Sequence, residues 1–531
     1  MTALTGTGQL VRLALRRDRI MLPVWTLILF VTGASGAASL ADLYPTVQSR
    51  VQAAAANNGT PAIVAMYGRV YDATSLGNTQ GMLKTLVFGA LLIALVSILV
   101  VVRHTRAEEE TGRLELLGAT VVGRYAALTA GLLVASGVSV VMGLLGALAF
   151  IGGGLPVTGS IVAGLAWSGG GIAFAAIAAV VVQLTASARA AVGISAAVLG
   201  AVYLIRAIGD TSEAGGPRWL SWLSPIGWGQ QFRPYAGDRW WVLLITIGFA
   251  VVVTAAAYAL VARRDIGAGL LADRPGPAGS TRLRTPLALA WRLQRGLLFG
   301  WLAAFAVLGA ALGGIASNVG DMMNSEAARD FITKLGGTQV ITDAFLAAEF
   351  GFVGVFASAY GVQAAMRPRA EETGLRAEPL LATRVGRVRW ALSHITIALA
   401  GTTVLLIVGG LAAGLSYGAS VGDLGEVGRL LGAALVQLPA AWVLTGIVVA
   451  AFGLAPRLTV AGWAALVGFL LLAELGPVLG LDRAVLNLSP YAHVPKLPAA
   501  ELTVTPLAWL LAIALALAIA GLAGFRRRDV G

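Results

Sequence analysis

Two short charged stretches hold the densest clusters of residues in this sequence that could do chemistry. The first is Arg103-His104-Thr105-Arg106-Ala107-Glu108-Glu109-Glu110-Thr111-Gly112-Arg113-Leu114-Glu115-Leu116-Leu117. The second is Arg367-Pro368-Arg369-Ala370-Glu371-Glu372-Thr373-Gly374-Leu375-Arg376-Ala377-Glu378-Pro379-Leu380-Leu381. Each has an acidic cluster, a glycine, an arginine, another glutamate and a leucine pair. The residues concerned are Glu108, Glu109, Glu110, Gly112, Arg113 and Glu115 in one copy, and Glu371, Glu372, Gly374, Arg376 and Glu378 in the other. One such stretch alone would be an ordinary solvated loop. Two copies at matching positions, with no hydrophobic or topological reason to repeat, read as a paired docking surface built on charge-assisted bonds. Catalysis and metal binding have little to draw on elsewhere. There are no cysteines, which excludes disulfides, thiolate metal sites, iron–sulfur clusters and cysteine nucleophiles. His104, His394 and His493 are the three histidines, and no two are close enough for a local metal motif. No catalytic residue and no metal site is predicted.

The elements that position these loops follow from composition. Of 531 residues, 57% are apolar and 12% charged, against about 25% charged in a soluble domain. An ordinary soluble enzyme is ruled out. The net charge of +12 fits either nucleic acid or membrane as a partner, and the mean hydropathy of +0.82 selects the membrane. Twelve stretches are long enough to cross a bilayer: 20–41, 83–102, 126–151, 161–185, 190–208, 240–262, 297–319, 344–366, 390–418, 427–453, 459–480 and 505–525. The first could pass for a signal peptide, but its flank recurs internally. Arg16, Arg19 and Trp25 match Arg292, Arg295 and Trp301 at an offset of 276, so it is read as a retained helix.

The repeat extends through the chain. Glu109-Glu110-Thr111-Gly112 returns as Glu371-Glu372-Thr373-Gly374, and Gly123-Arg124 as Gly386-Arg387. Leu223-Ser224-Pro225 returns as Leu488-Ser489-Pro490, and Arg263-Arg264-Asp265 as Arg527-Arg528-Asp529. The offset falls to about 263 because the first outer loop (42–82) is longer than its partner (320–343). The expected architecture is therefore an all-α polytopic membrane protein: twelve transmembrane helices in two parallel six-helix repeats. Residues 1–265 form the first half, 266–290 a cytoplasmic linker with Pro275, Pro277 and Pro286, and 291–531 the second half. With the N-terminus inside, inner segments hold 26 of 38 cations and 11 of 26 acids, giving +15 inside and −3 outside. Both termini are thus expected in the cytoplasm of a bacterial cell, with the chain multi-pass in its plasma membrane.

The acidic loop after span 2, the six-span half, the Ser-Pro before each last span and the basic pre-helix resemble permeases of the type-2 ATP-binding-cassette family. The fused double half, with RAEEETGRLELL and RAEETGLRAEPLL, resembles actinobacterial permeases of polyketide-antibiotic and multidrug exporters. That resemblance covers essentially the whole chain. It implies short cytoplasmic coupling helices in the loops after spans 2 and 8, and interfacial helices at 8–19 and 286–295. It also implies export of hydrophobic or amphipathic drugs, powered by two copies of a separate cytosolic ATPase that binds ATP and Mg2+. Glu109, Glu110, Glu371 and Glu372 would then face basic or backbone-donor sites on that ATPase. Pro379 departs from the first copy and is expected to break the helix that continues near Leu116.

The chain supplies no ATPase of its own. A phosphate-cradling loop needs Gly-Lys-Ser/Thr, and the residues before the three lysines are Leu83, Thr333 and Pro495. The alternative is an ion-coupled secondary transporter of twelve-span type, which would keep ionisable groups inside its spans; spans 1–6 contain no Asp or Glu beyond edge positions. Smaller signals complete the reading. Ser224-Pro225 and Ser489-Pro490 suggest a short helix before each last span, and Trp219, Trp222, Trp228, Trp240 and Trp241 an interfacial belt. Phe88, Phe352 and Phe356 are candidates for the substrate pathway, and Arg206 with Glu474 for an ion pair in an outer gate.

Overall fold

The computed structural model describes residues 3–118, 121–212, 216–265, 267–271, 283–316, 338–475 and 482–529. Among these the regular structure is helical throughout, and eleven helices are long and apolar enough to cross a membrane. That is what uninterrupted apolar runs must do in hydrocarbon, where a helix alone satisfies its own backbone polar groups. The chain divides into two compact units, Met1–Gly276 and Pro277–Gly531.

In the first unit α1 (Thr7–Arg17) leads into α2 (Met21–Leu43). Two shorter helices follow, α3 (Val47–Gly59) and α4 (Pro61–Tyr67). The long α5 (Gln80–His104) ends at the charged loop, which contains α6 (Arg106–Glu110) and α7 (Arg113–Gly118). The remaining spans are α8 (Ala126–Gly152), α9 (Val157–Leu184), α10 (Ala188–Thr211) and α12 (Val242–Val261), with the short α11 (Pro225–Gln231) between the last two. The core lies along α5, α8 and α9, where glycines of α5 and α8 admit one large ring from α9. Trp167 is buried against Gly89 and Gly146, where an added Cβ would stand 2.2 and 2.4 Å from the indole. Its N–H donates to the Leu86 carbonyl at 2.8 Å, as a tryptophan in a dry interior requires.

In the second unit the long apolar helices are α13 (Pro286–Ala316), α14 (Thr338–Ala365), α17 (Arg387–Val421), α18 and α19 (Glu426–Leu435 and Leu438–Leu454) and α22 (Val504–Arg527), with the shorter α20 (Ala461–Leu475) before the last of them. The charged loop holds α15 (Arg367–Thr373) and α16 (Ala377–Leu381), and α21 (Arg483–Leu486) precedes the last span. The described part of α20 has 15 residues; the rest of the eleventh expected span, and most of the loop 320–343, lie outside the described residues.

Two expectations are corrected. Residues 286–295 do not form a separate interfacial helix, because α13 runs unbroken through them. In the first unit the chain does break after α1, at Asp18. That side chain is fully buried, with its carboxylate 2.6 Å from His104 Nε2 and 3.1 Å from Arg103. The equivalent of Asp18 at offset 276 is Gln294. Its amide meets His394 Nδ1 at 3.0 Å from within a continuous helix. Nor does Pro379 break its helix: it falls in the first turn of α16, where its missing N–H has no intrahelical partner to lose.

Candidate functional site

Each charged loop is a helical turn ending at a residue of positive φ, followed by a second short helix. In the first unit that residue is Gly112 (φ 71°), and in the second it is Leu375 (φ 55°). Matching these two sets the offset between the loops at 263, one residue away from the register given by the shared Glu-Glu-Thr-Gly string. The structural partners are therefore Arg106 with Arg369, Glu108 with Glu371, Glu109 with Glu372, Arg113 with Arg376, and Glu115 with Glu378. Glu110 has Thr373 opposite it in this register, and Gly374 falls opposite Thr111.

The ion pairs obey this register. Glu109 is buried; it accepts from Arg106 at 2.7 Å and from both terminal nitrogens of Arg264, at 2.6 and 2.8 Å. Glu372 does the same with Arg369 at 3.0 Å and with both terminal nitrogens of Arg528, one of them at 3.0 Å. Arg264 and Arg528 lie just past the last long helix of their units, α12 and α22, so one two-pronged arginine ties each loop to the end of that helix. Glu108 pairs with Arg17 and stands 3.8 Å from Arg113. Glu371 pairs with Arg367 at 2.6 Å and Arg376 at 2.9 Å. Arg106, 1% exposed, also donates to the carbonyls of Val182 and Ala268. The strand of chain after α12 is laid against the end of α9 by Leu270 N–H to Gln183 O and Leu271 N–H to Leu184 O.

These contacts set the electrostatics. Burial pushes the carboxyls of Glu371 and Glu372 up. The hydrogen bonds and charges of Arg376 and Arg367 for one, and of Arg528 and Arg369 for the other, outweigh it and bring both below the usual glutamate value. Arg376 is raised in turn by its bond to Glu371.

Glu109, Glu371 and Glu372 therefore face arginines of their own chain and not outward as expected from sequence; only Glu110 of that set is exposed, accepting from the Ala188 N–H at 2.9 Å. What the loops do present outward is Leu116 (75% exposed) and Leu375 (65%), together with Arg113, Glu115, Arg376 and Glu378. Sequence reasoning passed over Arg264 and Arg528 as loop partners. Their signal was present in the repeated Arg-Arg-Asp after each last span.

Phe88, Phe352 and Phe356 are exposed on α5 and α14, helices otherwise well buried. Arg206 is fully buried on α10. It donates to the carbonyls of Ala65 and Met66 at the end of α4 and stands 3.5 Å from Asp210, a partner sequence reasoning missed. The Glu474 side chain lies outside the described residues. Ser224 caps α11 by accepting from the Gly227 N–H, so the first Ser-Pro does open a short helix, while the second opens a single 3-10 turn, Pro490–His493. Among the described residues no group of His, Asp or Glu is arranged to hold a metal.

The chain is 47% identical to the multidrug efflux system permease protein Rv1217c of Mycobacterium tuberculosis, over 99% of its own length and 95% of that protein's. Residues 8–261 and again 283–526 match the family described as multidrug efflux system permease Rv1217c, C-terminal domain, so the one pattern is met once in each half. With two helical units carrying the same arginine-braced loop, this chain belongs to the Rv1217c family of multidrug efflux system permeases.

Proposed function

We propose that this chain is the membrane subunit of an ATP-driven exporter of hydrophobic or amphipathic small molecules, with a separate ATPase docked on each charged loop. The observation that carries this reading is the matched construction of the two loops. In each, a buried glutamate joins the loop to the end of the last long helix of its unit, through Arg264 in one and Arg528 in the other. A push on the loop is thereby passed to a membrane helix through a charge-assisted, two-pronged link. Glu108, Glu109, Glu371 and Glu372 position the loop in this reading. Leu116, Leu375 and the exposed residues Glu110, Arg113, Glu115, Arg376 and Glu378 make the contact. Two ATPase copies supply ATP and Mg2+, and both chain termini lie on their side of the membrane. Phe88, Phe352 and Phe356 line the substrate route, and Arg206 with Glu474 belongs to the exit gate.

Reconstitution of the purified permease with its ATPase tests this. Vanadate-sensitive ATPase activity and drug efflux should appear only when both proteins are present. Efflux driven by a pH gradient without the ATPase would overturn it in favour of a secondary carrier.

A further inference from the structure

Between α2 and α8 runs an open apolar groove of about 850 Å3, within the roughly 300–1,000 Å3 of small-molecule sites. Val11 and Leu15 of α1 close one end of it, Leu27 and Phe30 of α2 form one wall, and Leu133 and Gly137 of α8 the other. Its one hydroxyl, that of Thr26, is already bonded to the Leu22 carbonyl at 2.8 Å. The end at α1 is strongly basic. Arg12 and Arg16 directly follow the groove residues Val11 and Leu15, and Arg19 follows in the next turn. All three are exposed, and no acid among the described residues pairs with them. Their neighbour Arg17 is different, being held by Glu108. Helix α1 is itself fixed, by Gly123 N–H to Thr5 O at 2.8 Å and Tyr125 N–H to Ala3 O at 3.1 Å, so the three charges are presented from an ordered surface.

We propose that the first half holds one anionic phospholipid, its phosphate on Arg12, Arg16 and Arg19 and one acyl chain in the groove between α2 and α8. An apolar channel with a cationic mouth matches a molecule that is a hydrocarbon chain with a negative head.

Among the described residues the second half is built differently at the equivalent place. There α13 continues through the basic segment without the break at Asp18. It also packs on α17 backbone to backbone. A Cβ on Gly309 would lie 2.2 Å from Gly409 O, and one on Gly313 2.2 Å from Ala413 O. The positions equivalent to these glycines are Gly33 and Ala37. Gly33 meets the Phe150 ring instead, at 3.3 Å, so at that level a side chain stands between α2 and α8, and Ala37 approaches Gly153 just past the end of α8. Arg292 and Arg295 keep two of the three charges, Ala288 standing opposite Arg12, and they serve as an internal control.

Native mass spectrometry of the full-length permease, equilibrated with phosphatidylcholine and phosphatidylglycerol in equal amounts, tests the site. Wild type should retain one phosphatidylglycerol in preference to phosphatidylcholine. The triple variant Arg12→Ala/Arg16→Ala/Arg19→Ala should lower that retention at least tenfold. So should Gly137→Leu, which keeps every arginine and fills the groove at a position where a Cβ meets nothing within 4 Å. Arg292→Ala/Arg295→Ala should leave retention unchanged. The proposal is overturned if wild type shows no preference for phosphatidylglycerol, or if either first-half variant retains it like wild type. Equal loss in the second-half variant would also overturn it, since the binding would then be diffuse surface charge.

Discussion

Replacing Glu109 with Gln should loosen the loop after α5 far more than its modest chemistry suggests. The carboxylate sits between Arg106, whose side chain is fully buried, and Arg264, whose side chain is 8% exposed. Glutamine keeps the shape but removes the charge, and its amide cannot accept at both ends. Two cations are left facing each other with little water. Removing one partner of a buried pair costs about 3–5 kcal/mol, equivalent to a rise in local opening of roughly two to nearly four orders of magnitude. Hydrogen exchange should report this directly: peptides covering 104–118 and 262–271 should lose protection by at least two orders of magnitude, while those from α9 keep it. The exposed Glu110→Gln variant, which risks a single surface hydrogen bond, should change exchange by less than about fivefold. If Glu109→Gln exchanges within threefold of wild type at both peptides, the bracing role argued for Arg264 is wrong.

Arg528→Lys in the second half should loosen residues 367–381 nearly as much as Arg528→Ala does. A lysine cannot reproduce the two-pronged bond to Glu372 or the guanidinium stack over Phe452 and Phe525. The same segment should respond to acid in a defined direction. Since the carboxyls of Glu371 and Glu372 are lowered on folding, their stabilisation is complete above the unfolded glutamate value of about 4.3 and fades as pH falls through the folded values. Protection of 367–381, corrected for intrinsic exchange, should therefore be flat from pH 7 to 5 and decline below 4. Leu116→Asp and Leu375→Asp, placed on the outward face, should abolish ATPase stimulation by the permease while thermal unfolding stays within about 2 °C. Gly112→Leu should destabilise the first loop by about 1 kcal/mol, whereas Leu375→Gly should be neutral or slightly stabilising, because only the first forces a side chain into the left-handed region.

The spans were legible in the sequence because the bilayer asks one thing of them, length of apolar run. Helices at Ala126–Gly152 and Val504–Arg527 end within one or two residues of where hydropathy puts them. The positions of the charged loops were legible for a related reason, since nothing hydrophobic could explain charge recurring there. Their internal register was not. The string Glu-Glu-Thr-Gly aligns Glu109 with Glu371, but the ion pairs and the left-handed residue align it with Glu372. A one-letter match weighs a threonine as heavily as a carboxylate, while the fold weighs only what meets an arginine. The break after α1 was equally hidden, because Asp18 interrupts the helix by virtue of His104 and Arg103, residues more than eighty positions away. The difference between the two halves in how the first and third spans pack rests on Gly33 and Ala37 against Gly309 and Gly313. Those residues are plain to read, yet which glycine receives a backbone and which a phenyl ring is decided only by the packed helices.

The bond between Glu109 and Arg264 closes 155 residues of chain, and this dictates when the loop can take its shape. A ribosome adding roughly 5–20 residues per second delivers Arg106 and Glu109 together, then needs on the order of ten to thirty seconds more before Arg264 emerges. Throughout that interval four further spans enter the bilayer and the loop lacks its brace. A half-synthesised permease therefore exposes an immature version of its charged loop, and the finished geometry itself certifies that all six spans of the half have been made.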